Sequence, residues 1–391
     1  MDKSEDLVQR AVELSPKFAA RAADYDRNVQ FPTEDFDDLH AAGLLSTAVP
    51  HKLGGQGIAM SNGDPLTQWR ITTAVAKGDL SLGRCYEGHV NAVDMINKHG
   101  SEEQQQHYLS GVVNGDMRFV IWGSEPVRKD VSDFNLKIAS QTTVERVDGG
   151  WKMNGIKGFA TSAGAATHAL IMALLPDPER ELAEQQHIFI VDLNQPGIII
   201  DKDWWKVLGM RATVSHMVTL KDVIVPEDGK LMTVKEYLDF NWQARFIPHF
   251  TASFLGASEA AFEFAKDYIA ERGKGEDPYV QHHAARMRIG IELMHGYLAR
   301  TGATWMADRP TEAAVMSNIC RVIGQEQAEM VVNEAIRACG ASALLEKYPL
   351  ERIFRDLTTY VQHENIDRIL GTIGRASLGL EYDPNWSNPV K

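Results

Sequence analysis

From about residue 3 to residue 110, apolar positions recur three and four apart: Leu7, Val8, Ala11, Val12 and Leu14, then Phe36, Leu39 and Leu44. That is the period of amphipathic helices packed through one face. Thr33, before the acidic pair Glu34 and Asp35 and after Phe31 and Pro32, reads as a helix start. The glycine-rich stretch 53–65, LGGQGIAMSNGDP, interrupts the pattern and reads as a loop. Its glycines lack the preceding strand and following helix that a phosphate-binding turn requires. Between about 115 and 225 the period shifts towards two. Seven short strands are expected, at 118–122, 142–146, 151–156, 169–174, 188–192, 197–201 and 217–220, with Asp148, Gly149 and Gly150 as a hairpin turn. From Lys235 the helical period returns in long stretches, one carrying Phe254, Ala257, Ala261, Phe264, Ala265 and Tyr268 on a single stripe. The pattern predicts an α+β chain of three parts: a helical domain over 1–115, an antiparallel β domain over 116–230 and a helical bundle over 231–391.

Composition narrows the class. The 391 residues, 44% hydrophobic and 24% charged, suffice for a full core. Forty basic against 53 acidic side chains give a formal charge of −13, which speaks against a general binder of nucleic acid or anionic membrane. Cys85, Cys320 and Cys339 are too few and too scattered for a disulfide framework or a zinc site. The polar N-terminus and the lack of any long apolar run predict a cytoplasmic protein without a membrane span. The remaining histidines, His282 and His283 among them, show no metal-ligand spacing, and no metal is expected.

Four segments carry chemistry beyond this outline. They are Trp122-Gly123-Ser124-Glu125-Pro126, the hairpin and strand from Asp148 to Ser162 with Lys157-Gly158-Phe159-Ala160-Thr161, the stretch from Leu208 to Ser215, and the C-terminal run from Cys339 through Gly340 to Asp356. In this order they resemble the acyl-CoA dehydrogenase superfamily over nearly the whole chain. The resemblance implies a C-terminal four-helix bundle and a flavin between it and the β domain. Ser124 beside Trp122 would meet the pyrimidine end of the flavin, Phe159 would pack on its ring and Thr161 would lie near N5. An aromatic face with a hydroxyl at the rim suits a flat, electron-poor ring. Gly340, and Arg272 in the sequence AKDYIAERGKG, would reach the adenosine and pyrophosphate from a neighbouring subunit, where a guanidinium fork matches phosphate oxygens. Arg211 and Ser215 would be structural. Arg245 would lie near the adenine of CoA. The stretch after Pro126, VRKDVSDFNLK, departs from the family pattern on the substrate side.

The resemblance divides at the catalytic base. Glu364 stands where the dehydrogenases place the carboxylate that removes the α-proton of an acyl-CoA while a hydride leaves for FAD, but Asn365 and Ile366 replace the usual Gly-Thr. His363 stands where the related dibenzothiophene monooxygenase-type enzymes, which take reduced FMN or FAD from a reductase, carry a histidine. In the same register lie Asp367, Ile373, Gly374, Leu378 and Gly379. Neighbours on a regular helix point about 100° apart, so one residue or the other would face the flavin unless the chain is irregular there. The dehydrogenase with Glu364 as base is the leading expectation, passing electrons to a carrier flavoprotein as a homodimer or homotetramer. The monooxygenase with His363 and dioxygen is the alternative, and a flavin-binding protein without turnover a third.

Overall fold

A computed structural model describes residues 3–126 and 140–385. The departing stretch after Pro126 lies outside the described residues. The N-terminal part contains α1 (Lys3–Asn28), α2 (Thr33–Ala41), α3 (Pro65–Gly78) and α4 (Leu80–His99). Thr33 turns out to be the first helical residue of α2 rather than its cap, and Asp35 is buried against Arg21. Asp64 and Asp79 cap α3 and α4 by accepting backbone N–H bonds from Thr67 and Ser81. The loop over 53–65 closes on itself through a bridge between Ala59 and Asp64, so it delivers the cap of α3.

Among the described residues eight strands form one sheet: β1 (Phe119–Trp122), β2 (Thr143–Val147), β3 (Gly150–Ala160), β4 (His168–Leu174), β5 (Gln186–Asp192), β6 (Ile198–Asp201), β7 (His216–Pro226) and β8 (Lys230–Thr233). Their order is β6-β7-β3-β2-β4-β5-β8, with β1 on β4. The sequence pattern missed β8, a four-residue strand at the end of the sheet order, next to β5. Nor is the sheet wholly antiparallel, because β1 runs parallel to β4 from Phe119 opposite His168 to Trp122 opposite Ile171. This arrangement sends Gly123–Pro126 off the end of β1 towards β3, where the Gly158 amide donates to the Ser124 carbonyl at 3.1 Å.

The C-terminal bundle comprises α5 (Trp242–Glu271), α6 (Pro278–Met306) and α7 (Pro310–Cys339), followed by α8 (Pro349–Tyr360) and α9 (Ile366–Ser377). Proline in the first turn of α6, α7 and α8 removes an N–H that would have no helical partner. Trp69 and Leu80 of the first domain and Trp205 and Met210 of the second pack into the bundle core, so all three parts meet there. Gly209 lies at that seam: a Cβ would come within 2.1 Å of the Arg355 carbonyl, while its amide donates to Thr359. His283 pairs with Glu334 across α6 and α7, a contact that sequence spacing does not reveal. All three cysteines are buried and free, and burial pushes the Cys85 and Cys320 thiols up to about 12.

Candidate active site

Strain marks the first corner of the site. The pairing of β3 with β7 slips between Lys157 and Ala160, and in that bulge Phe159 takes a φ of +52° with 60% of its surface exposed. Bulges re-aim side chains, and a phenylalanine in the left-handed region is an outlier. Its ring meets the edge of Trp204 at 4.9 Å. Ser162, Met210 and Val214 share the left-handed backbone. Such residues gather where the surroundings over-determine the chain for function. Behind Phe159, Thr161 is buried and accepts from the Ser215 hydroxyl at 3.1 Å, which in turn contacts Thr213 at 2.7 Å. Trp122 is also buried. Its indole donates to the Thr161 carbonyl at 2.9 Å, so it positions Thr161 and presents no surface of its own. Ser124 is exposed at the turn. Beneath that turn Lys157, fully buried, pairs with Glu125, which also accepts from Ser140 and from the amides of Gln141 and Thr142. Burial alone would raise the Glu125 carboxyl, but Lys157 together with Ser140 and the Gln141 amide holds the group below its ordinary value.

The second corner is the turn after α8. The helix ends at Tyr360, a 3-10 turn covers Val361–His363, and Glu364 is extended with φ −120° and ψ 149°. Arg321, fully buried on α7, donates to the Val361 carbonyl at 2.9 Å and fixes this break. Asn365 accepts from the Arg368 amide and caps α9. The chain is therefore irregular where the two candidate bases stand, and their side chains meet: His363 Nδ1 lies 3.4 Å from Glu364 Oε1.

A continuous chain of polar contacts runs through this pair. Tyr237 donates to Gln243 Oε1 at 2.9 Å, which turns the Gln243 amide nitrogen towards Glu364 Oε1 at 3.1 Å. On the other side Arg84 of α4 approaches His363 Nε2 at 3.3 Å. A guanidinium only donates, so Nε2 presents its lone pair and Nδ1 carries the hydrogen directed at Glu364. Arg84 also donates to Glu87 at 3.2 Å, and Glu87 accepts from Ser253 at 2.9 Å and from the Tyr360 hydroxyl. Burial pushes the Glu87 carboxyl up to about 7. His363 keeps 38% of its side chain open to solvent against 14% for Glu364. Desolvation by the surrounding helices and the Arg84 charge lower its pKa, against the pull of Glu364. Sequence reasoning missed Arg84, Glu87, Gln243 and Arg321, which lie far from His363 along the chain.

Helix α4 joins the two corners. Arg84 touches His363, and the next residue, Cys85, contacts the Ser162 hydroxyl beside Thr161. The other expected residues lie apart. Arg272 stacks on Tyr268 at 3.4 Å, and Tyr268 contacts Ser342 at 3.0 Å, beside Gly340 with its φ of +78°. Arg272 and the Gly340 loop are thus brought together. Arg272, at the C-cap of α5, is 22 positions beyond Phe250, which packs on His363 at 5.0 Å, a run of about 33 Å. Arg245 is held between Phe240 and Trp305, at 4.1 and 4.3 Å, and lines a small cavity between α3, α4 and α5. A larger cavity of about 690 Å³ opens between α1, α3, α5 and α6 and contains none of these residues. Among the described residues no group of three or more His, Cys, Asp or Glu side chains is placed to hold a metal ion, and no helix is long and apolar enough to cross a membrane.

The chain, with helical, sheet and helical domains in this order, belongs to the acyl-CoA dehydrogenase family. Models of that family's N-terminal, middle and C-terminal domains match residues 2–116, 124–223 and 249–368. Among curated relatives, dibenzothiophene monooxygenase from Mycolicibacterium goodii is 25% identical, with 96% of this chain and 94% of the relative covered. Putative acyl-CoA dehydrogenase YdbM from Bacillus subtilis (strain 168) is also 25% identical, over 94% of each. Butyryl-CoA dehydrogenase from Megasphaera elsdenii shares the fold with a TM-score of 0.85 at 21% identity, covering 97% of this chain and 98% of that one. FMN-bound TdsC from Paenibacillus sp. A11-2 shares it with the same TM-score at 20% identity, covering 98% of this chain and all of the other.

Proposed function

We propose that the chain is a flavin-dependent oxidoreductase of the oxygenase branch, with His363 as its acid–base group and Glu364 as the carboxylate that orients it. The observation that carries this reading is the contact between the two side chains, in which Glu364 is the more enclosed and is occupied by Gln243, while His363 is open. The leading sequence expectation, Glu364 acting alone on an acyl thioester, gives way here to the alternative. Its Gly-Thr partner is replaced by Asn365, whose amide is committed to capping α9.

The residues present suit a flavin ring. Phe159 offers an exposed aromatic face held out by a strained backbone, with Thr161 at its rim and Ser124 at the adjoining turn. Bound reduced flavin would supply two electrons, so that dioxygen gives one oxygen atom to the substrate and one to water. The protein's part is proton management. His363 can take a proton at Nε2 in place of the Arg84 hydrogen bond, and Glu364 stabilises the resulting imidazolium through Nδ1, while the nearby Arg84 charge favours its return to the neutral form. A reductase would deliver the flavin. Arg272, too distant along α5 to reach the same ring, and the Gly340 loop beside it would serve a flavin held by a second copy of the chain.

A second reading keeps the dehydrogenase, because Glu364 remains an enclosed carboxylate within the same corner. The two part on one pair of variants. With reduced FMN, dioxygen and a heteroaromatic probe such as dibenzothiophene, His363→Ala is expected to lose turnover by about 100-fold or more and Glu364→Gln by about 10-fold. Bleaching of flavin by butyryl-CoA without oxygen, abolished in Glu364→Gln and kept in His363→Ala, would reverse the assignment.

A further inference from the structure

Behind the His363 corner lies a carboxyl group to which the proton transfer described above gives no part. Glu87 stands one turn after Arg84 on α4, fully buried where α4 meets α5 and α8. A charged group is kept in such a place only when its partners offset the water it has lost. Here Oε1 accepts from Arg84 at 3.2 Å and from the Tyr360 hydroxyl, and Oε2 accepts from Ser253 at 2.9 Å. Helices α4, α5 and α8 thus each supply a donor to the same carboxylate.

Arg84 is the link to the imidazole. Its Nη1 is bonded to Glu87 and its Nη2 reaches His363 Nε2 at 3.3 Å, so one planar guanidinium spans the two groups. Nε2 can accept that hydrogen only on the neutral ring, because once protonated it has no lone pair to offer. Arg84 therefore favours the proton-accepting form of His363, and the more so the less its own charge is balanced. The other charged and titratable groups around the cluster are committed. Arg321 of α7 is bonded to Gln325 and the Val361 carbonyl, and burial keeps the Tyr360 hydroxyl and the Cys85 thiol protonated. Glu364 faces the opposite ring nitrogen, Nδ1. Glu87 is the variable charge: burial brings its carboxyl to about 7, and the Ser253 hydroxyl can turn to accept when Oε2 carries a proton.

We infer that Glu87 is a positioning residue for His363: its buried carboxylate balances the Arg84 charge and so sets how readily the imidazole takes up a proton. With Glu87 ionised, the guanidinium is balanced and His363 accepts a proton more readily. With Glu87 protonated, the Arg84 charge is unbalanced and His363 stays neutral to lower pH. The two groups compete for a single proton, as coupled sites do. This rests on the reading of His363 as the acid–base group, but the proton affinity of the imidazole can be measured without turnover.

Reaction of His363 with diethyl pyrocarbonate, which modifies only the neutral ring, would be followed by peptide mass over a series of pH values in the full chain. Glu87→Gln is expected to lower the midpoint of that profile by about one pH unit, while Glu87→Asp, which keeps the charge, leaves it near the wild-type position. Adding Arg84→Met to Glu87→Gln is expected to bring the midpoint back to the wild-type position or above it. A midpoint unmoved or raised in Glu87→Gln would overturn the inference. Should that variant fail to fold, Ser253→Ala decides in its place, because it removes a donor that keeps Glu87 ionised. A fall of about half a unit is then expected, and no fall would count against Glu87. A lowered midpoint in a protein that oxygenates no probe would instead count against the oxygenase reading alone.

Discussion

Two clusters of charged side chains stand near the proposed flavin site, and they are built oppositely. Around Glu125 the contacts are closed and all but one are short: Lys157 is fully buried, and the carboxylate gathers Ser140 and the Gln141 amide closely and the Thr142 amide at 3.2 Å. Around His363 the contacts with Arg84, Glu364 and Gln243 run from 3.1 to 3.4 Å, and the ring is partly open. A closed buried pair tolerates no exchange of partners and therefore fixes a frame. A looser set at a surface can gain and lose a proton without unfolding what holds it. The contrast separates residues that frame the proposed flavin corner from residues placed to exchange a proton beside it.

Breaking the closed cluster is expected to have the largest effect. Lys157→Met would strand a buried carboxylate and destabilise the protein by about 3–5 kcal/mol, read by denaturant unfolding. Breaking the open cluster should cost activity more than stability. Arg84→Met is expected to reduce turnover about 10- to 100-fold and, by removing a positive charge, to move the acidic limb of the pH–rate profile upward. Flavin binding unchanged beside that shift marks Arg84 as a positioning residue; an unmoved profile would remove it from the account.

The smallest effect sharpens the contrast between two histidines. His89 accepts from the Phe119 amide at Nδ1 and contacts the Leu45 carbonyl through Nε2, both at 3.0 Å, and burial lowers its pKa to about 4. The unfolded chain takes up this proton below about 6.5 while the folded protein does not, so stability is full above that pH and declines as pH falls towards 4. The decline from this group approaches about 1.4 kcal/mol per pH unit, and His89→Gln should flatten the melting-temperature slope over that window.

The sequence pattern carried the three-part order and most of the strands, since both rest on local periodicity. It also held the aromatic and hydroxyl of the β3 motif, Phe159 and Thr161, which the structure sets at one corner. What it could not carry depended on distance. Glu125 and Lys157 are 32 residues apart and nothing local links them. The meeting of His363 and Glu364 depends on a helix break that Arg321 imposes from another helix. Trp122 stood in the right motif, yet its ring is spent on the sheet core. β8 is four residues long and joins the sheet only through β5.

The proposed oxygenation rests on His363, oriented by Glu364. Its most direct test is product mass after the wild-type protein turns over dibenzothiophene or indole with reduced FMN under isotopically heavy dioxygen. One heavy oxygen atom per turnover is expected in the product, and none in His363→Ala. Heavy-oxygen product that persists undiminished in His363→Ala, or a probe set left unoxygenated while butyryl-CoA is dehydrogenated through Glu364, would contradict it.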